Sequence, residues 1–377
     1  MERNRWKTAH IDSPRIDLKA SPIAEDPESQ TLSFKTHYYG GIKKFHWLNI
    51  PLALHGTILK GDGKSVDIVI GEDPDDPIFI IGDLLVHLSR KVQGNKKLFE
   101  AFDGEALNIF AGHWPHEDKD SKSPIKRRLM EILNKKYGIV EEDLVTADIA
   151  AVPAGPARDI GFDQAMVGAY GQDDRICSIT AVKAIARVKN PAKTAIVALY
   201  DKEEVGSGGN TGAQSTVLET FITDLLFKTT KGANYHLVTK AMENTRVLSG
   251  DVDAAVHPHY KSVHELNNAA KLGHGIVVSK FSGYGGKFAG NEASAEYYND
   301  IRRLFNKHNI PWQNAELGRV DEGGGGTVAK YLANFNMEVI DCGPGVLSMH
   351  SPMEITSKAD IYYTFRAYEV FLSQDKL

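Results

Sequence analysis

Residues 194–204 run Thr194-Ala195-Ile196-Val197-Ala198-Leu199-Tyr200-Asp201-Lys202-Glu203-Glu204. An uncharged apolar run of this length, closed by a charged turn, suits a β-strand covered on both faces by helices. The turn falls at the carboxyl end of the strand, where open α/β sheets bind their ligands. Two adjacent glutamates there can divide labour: one holds a metal ion while the other takes a proton from water. A solvated acidic turn is the commoner fate of such a pair, and taken alone the pair favours that reading.

The flanking segments alternate between the two periodicities. Ile176, Ile179, Val182 and Ile185 recur at helical spacing within residues 175–188. Residues 216–228 and 293–307 read as helices, Val247-Leu248, 275–279 and 337–341 as strands, and 358–373 as a last helix with Ile361, Phe365, Tyr368 and Leu372 on one face. Such alternation predicts an α/β sheet domain.

Ahead of Val152 the texture differs. Ile50 to Leu59 and Val66 to Ile70 flank Gly61-Asp62-Gly63, a hairpin signature. Ile78 to Ile81 precedes a short helical stretch from Asp83 to Val92, and the residues from there to Lys122 are polar and rich in turn formers. Ser123-Pro124 reads as an N-cap with proline at the first helical position. The helix it opens carries Leu129, Ile132 and Leu133 on its apolar face and stops at Gly138. The block is mostly β. Near the start, Arg5-Trp6-Lys7-Thr8 is too polar for a convincing central strand.

A chain of 377 residues with 42% hydrophobic residues buries a sizeable core and favours two or three domains. Its 44 basic and 49 acidic residues are interspersed, so there is no field to draw a nucleic acid or an anionic membrane. Two cysteines, Cys177 and Cys342, make no disulfide framework and no CxxC pair, which fits a reducing cytoplasm. No apolar run approaches the roughly 20 residues of a membrane helix.

Further carboxylates repeat the placement of the first pair. Asp173-Asp174 stands between Gly168-Ala169-Tyr170-Gly171 and a helix, where acidic residues often only cap the end. Asp251 follows the strand-like Arg246-Val247-Leu248-Ser249-Gly250. His10 has Asp12 two residues on, a plausible partner for fixing its tautomer, and His350 lies in Ser348-Met349-His350-Ser351-Pro352. Imidazole and carboxylate ligands without thiolate suit zinc, cobalt or manganese in a catalytic site.

With these motifs in order, HIDSPR, GQDDR, DKEEVGSGGNTG, SGDVDAAVHP and LSMHSP, the chain resembles the M18 aminopeptidases, and their bacterial aminopeptidase I branch more closely than the aspartyl aminopeptidases. The resemblance implies a zinc-exopeptidase α/β domain of residues 1–22 and 156–377, interrupted by a β-rich dimerisation domain at 23–155. It implies that Asp173 bridges two divalent ions, with His10 and Asp251 completing one site and Glu204 and His350 the other. Glu203 becomes the general base, Asp12 orients His10, and Asp174 supports the bridging group. His87, in His87-Leu88-Ser89-Arg90, matches a family motif whose histidine reaches a neighbouring subunit's active site and helps to stabilise an oxyanion.

His257 matches a position lining the site, and the run from Gly323 to Gly326, preceding a helix near Thr327, suggests close approach of backbone to a peptide at Gly324. The implied molecule is a homo-oligomer, commonly a dodecamer built from dimers, that removes N-terminal residues from peptides. A related carboxypeptidase or deacylase, or an inactive assembly or cargo-binding homologue, are the alternative readings. Two departures stand out. Only nine residues precede His10, where the family carries a substantial segment, so part of the catalytic core is expected to lie outside the chain. Ala254 stands where the aspartyl branch has histidine, so no aspartyl specificity is inferred.

Overall fold

The computed structural model of the chain describes residues 3–118, 120–191 and 193–374, and the ends of the expected catalytic segments, 1–2 and 375–377, lie outside them. Two compact units emerge: Met1–Ser13, Ala157–Met349 and Met353–Leu377 form one, and Pro14–Pro156 with His350–Pro352 the other.

The first unit is built on a mixed sheet of β1 (Asn4–His10), β2 (Ala195–Tyr200), β3 (Thr245–Ser249), β4 (Ile276–Ser279), β5 (Trp312–Asn314) and β6 (Glu338–Gly343), in the order β2-β1-β3-β6-β4-β5. The first four strands in that order run parallel, with His10 beside Tyr200 and Thr8 beside Ser249, while β4 pairs with β6 antiparallel. The longer helices of this unit are α1 (Gln172–Ile185), α2 (Val217–Thr229), α3 (Tyr235–Glu243), α4 (Ala295–Lys307) and α5 (Lys358–Ser373).

Successive side chains of a strand point to opposite faces, and the sheet sorts its apolar residues accordingly. Ala9, Leu248 and Ile340 join α1, α4 and α5 in one core, whereas Trp6, Val247 and Val339 join α2 and α3 in the other. Helix α3 was not anticipated from the sequence. Asn234 caps it by accepting the Leu237 amide at 3.0 Å, and it buries only Val238 and Met242, too short an apolar stripe to stand out.

One expectation about the sheet is overturned. The segment Arg5-Trp6-Lys7-Thr8, too polar on paper, lies in β1 between β2 and β3, and Lys7 is 0% exposed. The Lys7 ammonium sits 4.1 Å from the centre of the Tyr368 ring and donates to the Thr8 carbonyl, while the Arg5 guanidinium lies 5.8 Å from the centre of Phe371. Aliphatic stems pack and aromatic faces take the charge, which lets a polar strand lie centrally. The apolar strand β2 ends the sheet order and packs a core on each face, as its uncharged run predicts, with its residues from Ala195 to Leu199 half-buried.

The second unit carries a seven-stranded antiparallel sheet in the order Ser65–Ile70, Leu52–Leu59, Asp148–Pro153, Arg15–Asp26, Thr31–Tyr39, Ile109–Gly112, Ile80–Ile81. The first unit's opening segment therefore ends at Ser13, not at residue 22. Arg15–Asp26 is a strand of the second unit, paired along its length with Thr31–Tyr39. Gly56 is required where Leu52–Leu59 crosses Asp148–Pro153, because a Cβ there would meet the Asp148 carbonyl oxygen at 1.9 Å. The helix Pro124–Tyr137 stops at Gly138, at φ 66°, as its sequence predicts. Its start is held differently: Ser123 makes no side-chain cap, and the Glu25 carboxylate accepts the amides of Ile125 and Lys126 at 3.3 and 2.9 Å.

Trp6 is 2% exposed within the core that α2 and α3 share with the sheet. Trp6→Ala is expected to cost about 3–5 kcal/mol in urea unfolding. A loss below about 1 kcal/mol, the scale of an ordinary surface change, would contradict a central β1.

Candidate metal centre

Three parallel strands deliver their carboxyl ends side by side. Asp12 lies just past β1, Glu203 and Glu204 form a tight turn past β2, and Asp251 lies just past β3. Beside them α1 begins, where Gly171 at φ 67° leads into Asp173 and Asp174, both non-helical and joined by a cis peptide bond.

Asp12 fixes the local geometry. Its Oδ1 accepts the Glu203 amide and its Oδ2 the Glu204 amide, each at 3.1 Å. The same Oδ1 stands 3.3 Å from His10 Nδ1, and the Asp12 carbonyl oxygen 3.1 Å from that nitrogen. Acceptors on this side hold a proton on Nδ1, which leaves Nε2 as the nitrogen that would meet an ion. Nε2 in turn faces Asp173 Oδ1 at 3.2 Å and Asp251 Oδ1 at 3.7 Å.

Around this core the backbone is tied down. Asp174 Oδ2 accepts the His10 amide at 3.3 Å, Ser178 Oγ donates to the His10 carbonyl at 2.6 Å, and Ser13 Oγ donates to the Asp173 carbonyl. Glu354 Oε2 accepts the Asp173 amide at 3.1 Å.

So many carboxylates in one buried place perturb one another. Burial, and then the charge of Asp251, push Glu203 up to about 8 against the opposing pull of His10. Burial also pushes Asp174 up to about 8, with His10 opposing and Asp251 adding. For His10 burial works against the charged ring, but hydrogen bonds to Asp12, Asp173 and Asp251 outweigh it and hold the imidazole well above its ordinary value. Divalent cations held here would let neighbouring carboxylates ionise together.

The donor set fits divalent ions. His10 with Asp173 and Glu204, His10 with Glu203 and Asp251, and Asp173 with Asp174 and Asp251 each bring ligand atoms within 4.8 Å of one another. Ligand bonds of roughly 2.0–2.2 Å around a tetrahedral ion give ligand–ligand edges of roughly 3.3–3.6 Å. The 3.2 and 3.7 Å separations about His10 Nε2 bracket that range.

Other residues singled out in the sequence lie elsewhere. His350 groups with the second unit, where its Nδ1 hydrogen-bonds the Gly41 carbonyl at 2.8 Å and so leaves the lone pair on Nε2. His87 is exposed on the helix Val86–Val92 of that unit. His257 lies half-buried with its ring 4.8 Å from Tyr260, and its amide faces His264 Nε2 at 3.4 Å. Gly324 pairs with Tyr284 at φ 126°, and a Cβ there would meet the Gly283 carbonyl oxygen at 2.4 Å. The chain's own packing thus accounts for glycine at 324. The helix after the glycine run begins at Ala329, two residues later than expected.

Three contributors escaped the sequence reading. Glu354 reaches Asp173 because the strand Glu354–Ser357 pairs with Met166–Ala169, a contact between segments far apart in the chain. Asp253 and Asp341 are buried near Asp251, and burial raises them to about 6 and about 7. Asp253 accepts Ser279 Oγ at 2.8 Å and Asp341 accepts Thr327 Oγ1 at 2.9 Å. Asp253, two residues beyond Asp251, was open to notice as a second acid past the same strand.

The family described as Aminopeptidase I zinc metalloprotease (M18) matches residues 5–372. A probable M18 family aminopeptidase 1 of Borreliella afzelii is 50% identical over 368 residues, covering 97% of this chain and 80% of that protein. One of Thermotoga maritima is 47% identical over 366 residues, with 97% and 80% covered. The crystal structure of an M18 aminopeptidase from Thermotoga maritima superposes with a TM-score of 0.95 at 46% identity, covering 100% of this chain and 81% of that one. The S. cerevisiae mApe1 dodecamer shares the fold at 21% identity, with a TM-score of 0.77 over 99% of this chain and 80% of that one.

Asp12→Ala removes the acceptor of the Glu203 and Glu204 amides and the partner of His10 Nδ1. Losses of this kind lower metal affinity about 10–100-fold. Zinc titration against a competing chelator is expected to read that drop with an unchanged far-ultraviolet spectrum. Wild-type affinity would show that Asp12 does not orient the donors.

Proposed function

The chain belongs to the M18 family of zinc aminopeptidases, and from that premise we propose that the carboxylate cluster past β1, β2 and β3 holds two divalent ions and carries the hydrolysis of N-terminal residues from peptides. The observation that carries this reading is the convergence of His10 Nε2 on Asp173 at 3.2 Å and Asp251 at 3.7 Å. His10 and Asp251 are assigned to one ion, Glu204 and His350 to the other, and Asp173 to both. His350 takes this role on the resemblance alone. Zinc is the expected metal, and cobalt or manganese accept the same donors.

When bound, the ions polarise the scissile carbonyl and make the attacking water acidic at neutral pH. Glu203 is the general base, taking the proton from that water and passing it to the leaving amine. Its carboxylate is raised by burial and by Asp251, and cations held by His10, Asp173 and Asp251 would offset that negative field and favour the ionised form that accepts a proton. Asp12 holds the Glu203 and Glu204 amides, which keeps the proton acceptor and the adjacent ligand at a fixed separation. Asp174 steadies the His10 backbone. His257 and Gly324 are assigned to the substrate side of the site.

The first unit is read as the catalytic domain and the β-rich unit as the dimerisation domain. His87 is assigned to a neighbouring subunit's site, where it stabilises the developing oxyanion. The helix that carries it buries no residue, and Val86 and Leu88 are 71% and 62% exposed, as suits a surface that a partner covers. With the S. cerevisiae relative solved as a dodecamer, a homo-oligomer built from dimers is the reading for this chain, with a dodecamer as its expected size. No helix among the described residues is long and apolar enough to cross a membrane, and both cysteines are free and buried, which supports a reducing cytoplasm.

Glu203→Gln is expected to lower kcat about 10²–10⁴-fold, the usual reach of a positioned base, with zinc content unchanged. Aminoacyl and peptide substrates with a free amine should be cleaved, their N-acetylated forms spared, and activity lost on chelation and restored by zinc. Wild-type turnover by Glu203→Gln, or cleavage of the acetylated series, would overturn the assignment.

A further inference from the structure

The loop after β2 carries Glu203 and Glu204 and re-enters the core at Ala213, beneath α2. Its neck is closed by the Asp201 amide, which donates to the Thr211 carbonyl at 3.1 Å. Within it Lys202, Gly206 and Ser207 stand at φ 65°, 90° and 60°, the left-handed region that side chains disfavour. Two of the three are not glycine. A turn of this kind does not hold itself; the residues around it must over-determine its shape.

Asp12 ties the entry of the turn by accepting the Glu203 and Glu204 amides. The exit is tied at a single atom. The Gly206 carbonyl oxygen accepts Gln214 Nε2 at 2.7 Å and the Tyr331 hydroxyl at 3.1 Å, and Gln214 Nε2 also donates to that hydroxyl oxygen at 3.2 Å. The other half of the same peptide unit is the Ser207 amide, which donates to the Lys202 carbonyl at 2.6 Å. The unit is planar, so turning the Gly206 carbonyl away would break the Ser207–Lys202 bond with it. That bond spans Glu203 and Glu204, and the Gly206 amide closes a second one onto the Glu203 carbonyl at 2.9 Å.

The two donors are themselves placed by the fold. The Gln214 amide donates to the Ser207 carbonyl at 3.1 Å, and the legs of the loop lie so close that a Cβ at Gly212 would meet the Ser207 carbonyl oxygen at 2.2 Å. Tyr331 belongs to the helix Ala329–Ala333, packs half-buried against the core that α2 and α3 share, and sends its hydroxyl to the loop. Donors that bond one another as well as a common acceptor polarise each other. We propose that Gln214 and Tyr331 are positioning residues for the hydrolysis: by holding the Gly206 carbonyl they fix the direction of the Glu203 carboxylate toward the water it deprotonates. This rests on the reading of Glu203 as the general base.

Tyr331→Phe removes the hydroxyl alone, and Gln214→Met removes the amide while keeping the length of the side chain. Each is expected to lower kcat about 2- to 10-fold, the reach of one hydrogen bond, and the pair by about 10-fold or more, with KM and zinc affinity within about 2-fold of wild type. In a Glu203→Gln background the pair should leave the residual rate unaltered, because it acts through the Glu203 carboxylate, whereas a general structural loss would lower that rate further. Hydrogen exchange in the metal-free protein gives a reading independent of turnover: the pair should speed the Ser207 amide by about 10-fold or more and leave β1 and β3 unchanged. Either wild-type kcat or unchanged Ser207 exchange in the double variant would overturn the proposal. So would an equal fractional loss in the Glu203→Gln background, which would show an effect not exerted through Glu203. Wild-type turnover by Glu203→Gln alone would instead overturn the base assignment, and the proposal with it.

Discussion

The Asp12 carboxylate accepts the Glu203 and Glu204 amides while facing His10 Nδ1. These groups come from the ends of β1 and β2, whose parallel register sets His10 beside Tyr200. One buried anion therefore joins two strand ends, orients an imidazole and holds two neighbouring carboxylates apart. Oriented ligand shells of this sort supply geometry that the donor residues cannot provide alone. In the proposed mechanism every later step rests on that tie, because the residues assigned as proton acceptor and ion ligand are consecutive and must point differently.

The accumulated negative charge is the structural cost of the site. Asp173, Asp174 and Asp12 are nearly or wholly buried, with Asp253 and Asp341 close behind them. The protein's own cation beneath this cluster is Lys7, wholly buried, whose ammonium is disfavoured by burial and favoured by Cys177, Asp174 and Asp251. It sits against Gly250, where a Cβ would also meet the Thr8 carbonyl oxygen of β1 at 2.9 Å, so a side chain before Asp251 would force the strand backbone to shift. A polar central strand and a glycine at the strand end are thus parts of one arrangement.

Most of the α/β unit was legible in the sequence, because its helices and strands carry clean periodicities and its candidate ligands sit at strand ends. Positions 216–228, 293–307 and 358–373 fall within a few residues of the observed helices. What hid was decided by tertiary context. Lys7 reads as a surface residue until Tyr368, far along the chain, supplies its face. The uncharged run in β2 reads as a strand covered on both faces, which it is, but nothing local tells its place in the strand order. Glu354 contributes through a strand pairing no local pattern encodes. Of the groups that converge past the strands, His10, Asp173, Glu203, Glu204 and Asp251 are singled out in the sequence by their motifs, whereas Asp253 and Asp341 carry no local signal beyond following or ending a strand.

The most direct test of the account is anomalous diffraction from crystals of the zinc-loaded protein, which counts ions and identifies the atoms that touch them. The account predicts two peaks per chain, one bonded to His10 Nε2 and Asp251, the other to Glu204, with Asp173 contributing to both. Bond lengths should be roughly 2.0–2.2 Å. A single peak, or two peaks neither of which involves Asp173, would contradict it.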